Sequence, residues 1–279
     1  MRKIHVQNIT KAVKNAVMNA NFELNDDVIA ALKSAKKKEV SALGRDILMK
    51  LVENADVAKK EKIPLCQDTG LVVMFVEIGQ DVVLLEGNLY PALEEGVRQG
   101  YREGFLRKSV CHPFTRKNTG DNTPVIIHLN MVPGNALRIW VVPKGGGSEN
   151  MSRLFMLSPS AGWKGAKEKI VQAVIDAGPN PCPPTILGVG IGGNFEQCAI
   201  MAKKALLRTL GTSNPDPEID AMEQELLDAV NKTGIGPQGL GGSTTSLAVH
   251  ILMMPCHIAS LPVALNIQCH SSRHVRIDL

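Results

Sequence analysis

Residues 185–193, TILGVGIGG, constrain the fold more than any other stretch of this chain. The run is apolar, uncharged and punctuated by glycine, and it leads directly into NFEQCAIMAKKALLRTL. The first part reads as a short buried strand and the second as a helix. Composition agrees with such a fold. Apolar residues make up 44% and aromatics only 4%, so the interior must be built from Ala, Val, Leu, Ile and Met, which suits an α/β protein.

The same run fits G-x-G-x-x-G at Gly188, Gly190 and Gly193, between a strand and a helix. A dinucleotide site needs a second strand ending in an acidic residue about 20 positions on. Here the helix is followed by GTSNPDPEID, polar and rich in turn residues, with no strand before Asp216. Close backbone packing, or amides aimed at an anion, accounts for these glycines better than a nicotinamide cofactor does.

The rest of the chain alternates in the same manner. The first sixty residues read as helical, with Asn25, Asp26 and Asp27 as an N-cap region and Val40, Leu43, Ile47 and Leu51 at helical spacing. That helix should end near Ile63, because Pro64 disfavours helical geometry before it. LVVMFVEIG and DVVLLEG look like successive strands, and Pro91 opens a helix weakened by Gly96 and Gly100. VIIHLNMV and ALRIWVVP flank the turn PGN and predict a hairpin. A helix over 163–177, another carrying Met222, Leu226, Leu227 and Val230, and strands in LAVHILMMPC and LPVALNIQC complete the pattern. The expectation is a mixed α/β (α+β) fold in one domain, 1–279. Residues 1–62 would be its mainly helical segment and 63–279 its α/β part.

A formal net charge of +4 is too small to imply nucleic acid. The lysine clusters at 36–38 and at 59, 60 and 62 fall on helices with no aromatic residue interleaved to stack on bases. Charges interrupt every apolar run, and the N-terminus has no apolar core of the signal-peptide type. A cytoplasmic protein is expected.

Six cysteines, at 66, 111, 182, 198, 256 and 269, are few for disulfides in such a compartment. Cys66 stands in IPLCQDTG, Cys182 in NPCPP, and Cys269 where an apolar strand gives way to HSSR. All three lie at junctions between elements, where ligands from remote parts of a sequence converge. Cys198 lies inside a helix and reads as core, and burial is the default for Cys111 and Cys256. No C-x-x-C pair suggests zinc, and a lone nucleophilic thiol would leave the other cysteines unexplained. Three dispersed thiolates suit three irons of a [4Fe–4S] cluster with the fourth iron left open, although buried thiols remain the alternative on spacing alone.

Six motifs carry a more specific signal: IPLCQDTG, NTGDNTP, KGGGSEN, CPPTILGVGIGG, GIGPQGLGGSTTS and HIASLPVALNIQCHSSR. Together they resemble the α subunit of class I, iron–sulfur fumarate hydratases, and also the related L(+)-tartrate dehydratase α subunit. The resemblance covers nearly the whole chain in order. It implies Cys66, Cys182 and Cys269 as ligands of a [4Fe–4S] cluster and Asp68 as the proton-transfer residue. It further implies Gln67, Arg107 and the backbone of Gly146 or Gly147 as substrate contacts, and His257 as an active-site histidine.

The chemistry suits these residue types. An open iron is a Lewis acid, a neighbouring carboxyl group exchanges a proton, and an arginine fork grips a carboxylate. Taken singly, Asp68 also fits a turn, Arg107 a surface ion pair and His257 a hydrogen-bonded core position. Single-chain family members continue into a second domain, and nothing here matches it. The resemblance therefore implies a separate β subunit that completes the site, in an α2β2 assembly. KGGGS is similar to the fumarate form of the glycine loop, whereas the tartrate enzymes tend toward GGGC. A cluster-carrying scaffold without catalysis is the non-enzymatic rival.

Overall fold

The structure is a computed structural model that describes residues 1–279. In chain order its elements are β1 (Arg2–His5), α1 (Val6–Phe22), α2 (Asp26–Lys38), α3 (Ala42–Glu61), β2 (Leu71–Gly79), β3 (Val82–Leu85) and α4 (Leu89–Glu103). There follow β4 (Ile126–Val132), β5 (Leu137–Lys144), the short α5 (Gly146–Glu149), β6 (Arg153–Leu157), α6 (Gly162–Ala177) and β7 (Thr185–Gly193). The remainder is α7 (Phe195–Ala205), α8 (Pro217–Asn231), β8 (Ser246–Cys256), β9 (Leu261–Gln268) and β10 (Val275–Asp278). The mixed α/β class read from the sequence is therefore borne out. No helix is long and apolar enough to cross a membrane.

The helices start and stop for local reasons. Acids Asp26 and Asp27 open α2 and Lys36, Lys37 and Lys38 close it, each sign matched to the helix dipole. Asn25 holds the cap position of α2 but makes no side-chain cap bond. Asp216, by contrast, accepts from the amides of Glu218 and Ile219 and is followed by Pro217 at the first turn of α8. The chain leaves α3 at Glu61, as Pro64 requires. The opening residues are not all helical, since β1 pairs in parallel with β3.

The chain divides into two compact units. The first comprises Met1–Leu24, Ala55–Gly146 and Arg273–Leu279. Its larger sheet has the order β10-β5-β2-β4. The expected hairpin of β4 and β5 does not form. Both strands flank β2, β4 in parallel and β5 antiparallel, and the Pro-Gly-Asn connection crosses the end of β2. The amides of Gly79, Gln80 and Asp81 bond the carbonyls of Ala136, Val132 and Gly134 there. Central placement suits β2, whose residues 72–76 are all buried. Ile9, Val13 and Val17 of α1 and Leu93, Val97 and Tyr101 of α4 join Val72, Met74, Ile139 and Val141 in one core. Gly96 and Gly100, which weaken α4 locally, let α1 approach: a Cβ at Gly96 would stand 2.7 Å from the Val13 side chain.

The second unit comprises Asn25–Asn54 and Gly147–Ser272, with the sheet β6-β9-β7-β8. Alternation along β7 sorts its two faces. Leu187, Val189 and Ile191 pack with Ile170 and Val174 of α6 and Leu226 and Val230 of α8. Gly188 and Gly190 point to the other face, where α7 lies so close that a Cβ on either would stand 2.0 Å from a helix carbonyl, that of Ala202 or of Cys198. Cys198, Met201 and Ala202 pack with Ala264 of β9 on that face. The G-x-G-x-x-G spacing thus serves helix-on-strand packing. The buried Glu39 binds the glycine-rich loop of this unit, accepting from the amides of Ser243 and Thr244.

Candidate active site

In the first unit, pairing of Leu71 with Lys144 sets the loop before β2 against the loop after β5. Glycine is required at the junction. Gly70 has φ +74°, and a Cβ there would stand 2.6 Å from the carbonyl carbon of Lys144. Asp68 is thereby brought to the glycine loop. Its Oδ1 accepts from the Gly70 amide at 3.0 Å and its Oδ2 from the Gly146 amide at 2.7 Å. Each oxygen keeps a lone pair for a proton or a substrate hydroxyl. The Gly145 Cα lies against the same carboxylate, where a Cβ would be 3.1 Å from Oδ2. Beside it, the Asp68 amide donates to Cys66 Sγ at 3.4 Å, and the thiol donates to Gln67 Oε1 at 3.2 Å. Cys66, Gln67, Asp68 and Gly146 of the expected set thus share one corner of this unit.

Three further residues hold that corner, and the sequence reading missed them. Tyr101, fully buried, donates its hydroxyl toward the carbonyls of Thr69 and Gly70, at 2.6 and 3.0 Å. Burial pushes its phenol well above the ordinary range, Arg273 opposes that shift and the charge of Asp68 adds to it. Asn122 donates from Nδ2 to Gly70 O. Arg273 is only 3% exposed and donates from Nη2 to Asp68 O, while its Nε and Nη1 are buried with no partner. No local sequence pattern marks an arginine as buried, so only the position four residues after Cys269 hinted at it. Arg107 contributes its backbone here, where its carbonyl accepts from Thr69 Oγ1 at 2.8 Å, and its side chain is exposed.

Cys182 and Cys269 belong to the second unit, and one network positions both. The Cys182 backbone adopts φ +56°, and its carbonyl accepts from the amide of His270 at 3.4 Å. His270 Nδ1 also lies 3.0 Å from that carbonyl. Gln238, from the GPQG loop, donates through its amide and Nε2 to Pro183 O at 2.8 and 2.7 Å. The turn holding Cys182 and the end of β9 carrying Cys269 are therefore stitched together. Gly147 lies near the same turn, where a Cβ would be 3.5 Å from Asn180 O.

His257 is exposed on the turn between β8 and β9. Its Nδ1 accepts from the Ala259 amide at 3.1 Å, which leaves Nε2 to carry the proton of the neutral ring. It edges a cavity of about 360 Å³ lined also by Trp163, Met222, Met253 and Ile258.

None of the six cysteines is in a disulfide. Cys198 is buried, as its helical position suggested, and burial pushes its thiol up. No three His, Cys, Asp or Glu side chains are grouped as a single metal ion requires. A cluster makes a different demand, because its thiolates bind separate corner irons and stand farther apart than the ligands of one ion. Cys66, Cys182 and Cys269 fit that donor chemistry. All three lie outside the helices and strands, Cys182 exposed and Cys66 and Cys269 half-buried, and the buried thiol, Cys198, is not among them.

The family described as fumarate hydratase (Fumerase) matches residues 10–278. A Methanocaldococcus jannaschii protein, named provisionally as an L(+)-tartrate dehydratase subunit alpha, is 41% identical over 271 residues, covering 95% of each chain. The L(+)-tartrate dehydratase subunit alpha of Escherichia coli K12 is 33% identical over 273 residues, 96% of this chain and 89% of its own. A protein of the same name from Shigella sonnei is likewise 33% identical over 273 residues. With Asp68, beside Cys66 and Gln67, bonded to the glycine loop at Gly146, and a family match that runs almost end to end, this chain belongs to the fumarate hydratase (Fumerase) family.

Proposed function

We propose that this chain is the α subunit of a cytoplasmic [4Fe–4S] hydro-lyase that interconverts fumarate and L-malate, acting throughout as one catalytic domain. The observation that carries the proposal is the Asp68 carboxylate, fixed by the amides of Gly70 and Gly146 next to the Cys66 thiol. Cys66, Cys182 and Cys269 would hold the cluster. Bound by three thiolates, it would supply Lewis-acid chemistry at its remaining iron.

The chain's own residues supply the rest. Asp68 transfers the proton at the carbon next to the one that gains or loses hydroxyl, and its two amide bonds hold the carboxylate plane fixed while it does so. Arg107 grips a substrate carboxylate with its exposed fork, and Gln67 and the amides of Gly146 and Gly147 contact its oxygens. His257 keeps Nε2–H available as a donor. A separate β subunit completes the pocket in an α2β2 enzyme.

L(+)-tartrate dehydration is the second reading, favoured by the names of the relatives at 33 and 41% identity. The resemblance of Lys144-Gly-Gly-Gly-Ser148 to the fumarate form of the glycine loop favours fumarate.

Anaerobic EPR of the reconstituted, reduced chain, with and without malate, tests the proposal. A [4Fe–4S]⁺ signal that shifts with malate is expected. No cluster under conditions that load a control protein overturns the hydro-lyase reading, and a cluster indifferent to malate or tartrate leaves a scaffold. With the β subunit added, the ratio of kcat/KM for malate and tartrate decides between substrates.

A further inference from the structure

Between Gly104 and Gly120 the first unit extends an arm whose composition is unlike the rest of the chain. It carries Arg107, Lys108, Arg116 and Lys117 and no acid, so the chain's whole formal excess of four positive charges resides here. Phe105 and Phe114 are 91 and 90% exposed. The arm is nonetheless ordered by its own backbone. His112 N donates to Lys117 O, Arg116 N to His112 O and Thr119 N to Val110 O, and Asn118 Nδ2 donates to Lys108 O. Its root is the Asp68 corner itself: Asn122 accepts from the amides of Ser109 and Val110 and donates to Gly70 O, and Thr69 donates to Arg107 O.

A preorganised arm that carries two phenylalanines in water and four cations along the same stretch of chain has the composition of a docking element. Nucleic acid fits poorly, because the chain outside the arm is electrically neutral and offers no wider positive field to a polyanion. A protein socket with an apolar floor and a carboxylate rim fits better. Whatever seats on the arm is placed in register with Asp68 through Asn122 and Thr69, which is what a site-completing subunit needs. We propose that residues 105–120 are the element by which this chain docks the separate subunit, Phe114 entering an apolar socket and Arg116 and Lys117 pairing with acids at its rim. This rests on the two-subunit reading above.

The test is the affinity of the purified chain for its cognate β subunit, at low and high salt, for the wild type, Phe114→Ser and the double variant Arg116→Glu/Lys117→Glu. These side chains lie in solvent, so circular dichroism and melting should be unchanged and will show that the variants are folded. The expected result is a salt-sensitive wild-type complex, weakened about 10-fold or more by Phe114→Ser. Charge reversal should weaken it about 100-fold and remove most of the salt dependence. A wild-type complex that both variants reproduce overturns the arm alone. Absence of any wild-type complex overturns the two-subunit reading and the arm with it. Arm-dependent self-association in sedimentation, or arm-dependent binding of a single-stranded oligonucleotide, would assign the arm to another occupant and also overturn it.

Discussion

Arg273 donates from Nη2 to the main-chain carbonyl of Asp68 and buries its Nε and Nη1 without partners. A buried cation so poorly compensated is costly to the fold, so its benefit must lie in holding the Asp68 turn. Arg273→Met should relieve that cost as it loses the bond to Asp68, leaving the melting temperature within a few degrees. The same change should lower kcat about 100-fold by letting the carboxylate drift. Arg273→Lys should recover part of kcat. Steady-state kinetics of the cluster-loaded enzyme, beside melting curves, check this. A large loss of stability with kcat per loaded cluster unchanged would make Arg273 purely structural.

Asp68→Asn separates position from chemistry. An asparagine has one acceptor oxygen for the two amides of Gly70 and Gly146, so one bond is lost and an N–H faces an N–H. The stability cost should be about 1–3 kcal/mol. The rate should fall about 1,000-fold, since no proton can be exchanged. Urea unfolding and initial rates measure the two effects. Activity within tenfold of wild type would remove Asp68 from the proton-transfer role.

Two buried groups in the second unit predict a two-step loss of stability in acid. Burial, helped by the charge of Arg208, depresses His250 from 6.5 to about 4, so the native state resists a proton that the unfolded chain accepts. The stability held by neutral His250 is complete above pH 6.5 and is lost as pH falls toward 4. Glu39 behaves differently. Burial alone would raise its pKa, but hydrogen bonds from Ser41, Ser243 and Thr244 outweigh it and lower the carboxyl to about 2. Its contribution is complete above 4.5 and is lost as pH falls toward 2. Each step is worth up to about 3 kcal/mol. In urea titrations from pH 7.5 to 2.5, His250→Asn should flatten the upper step and Glu39→Gln the lower one.

How much of this was legible beforehand depends on the range of the interaction. The helix end before Pro64 and the strand character of residues 71–79 and 185–193 follow from neighbours in sequence, and they stand where expected. The false hairpin shows the limit: two apolar runs joined by Pro-Gly-Asn carry no mark that β2 lies between them. The meeting of Asp68 with Gly146 depends on that same β2–β5 register. Tyr101 and Arg273 were invisible because a tertiary environment, not a local pattern, buries a phenol or a guanidinium. Gly96 and Gly100 read as flaws in a helix because the contact they serve is with α1, some eighty residues earlier.

The glycines of β7 provide the sharpest separation of packing from cofactor binding. At Gly190 an added Cβ would stand 2.0 Å from Cys198 O and 2.7 Å from Ala202 N, both backbone atoms of α7 that cannot rotate away. Gly190→Ala must therefore push the helix off the sheet and break the contacts of Met201 and Ala202 with Ala264. The expected cost is at least about 3 kcal/mol, at the upper end of overpacking effects. Gly211→Ala is the matched control: it has φ +83° but open space around it, so only backbone strain of about 1–2 kcal/mol applies. Denaturant unfolding of both variants measures the difference, and calorimetry of the wild type with NAD should show no binding. If Gly190→Ala proves as mild as Gly211→Ala while the wild type binds NAD saturably, the glycines serve a ligand and not the helix.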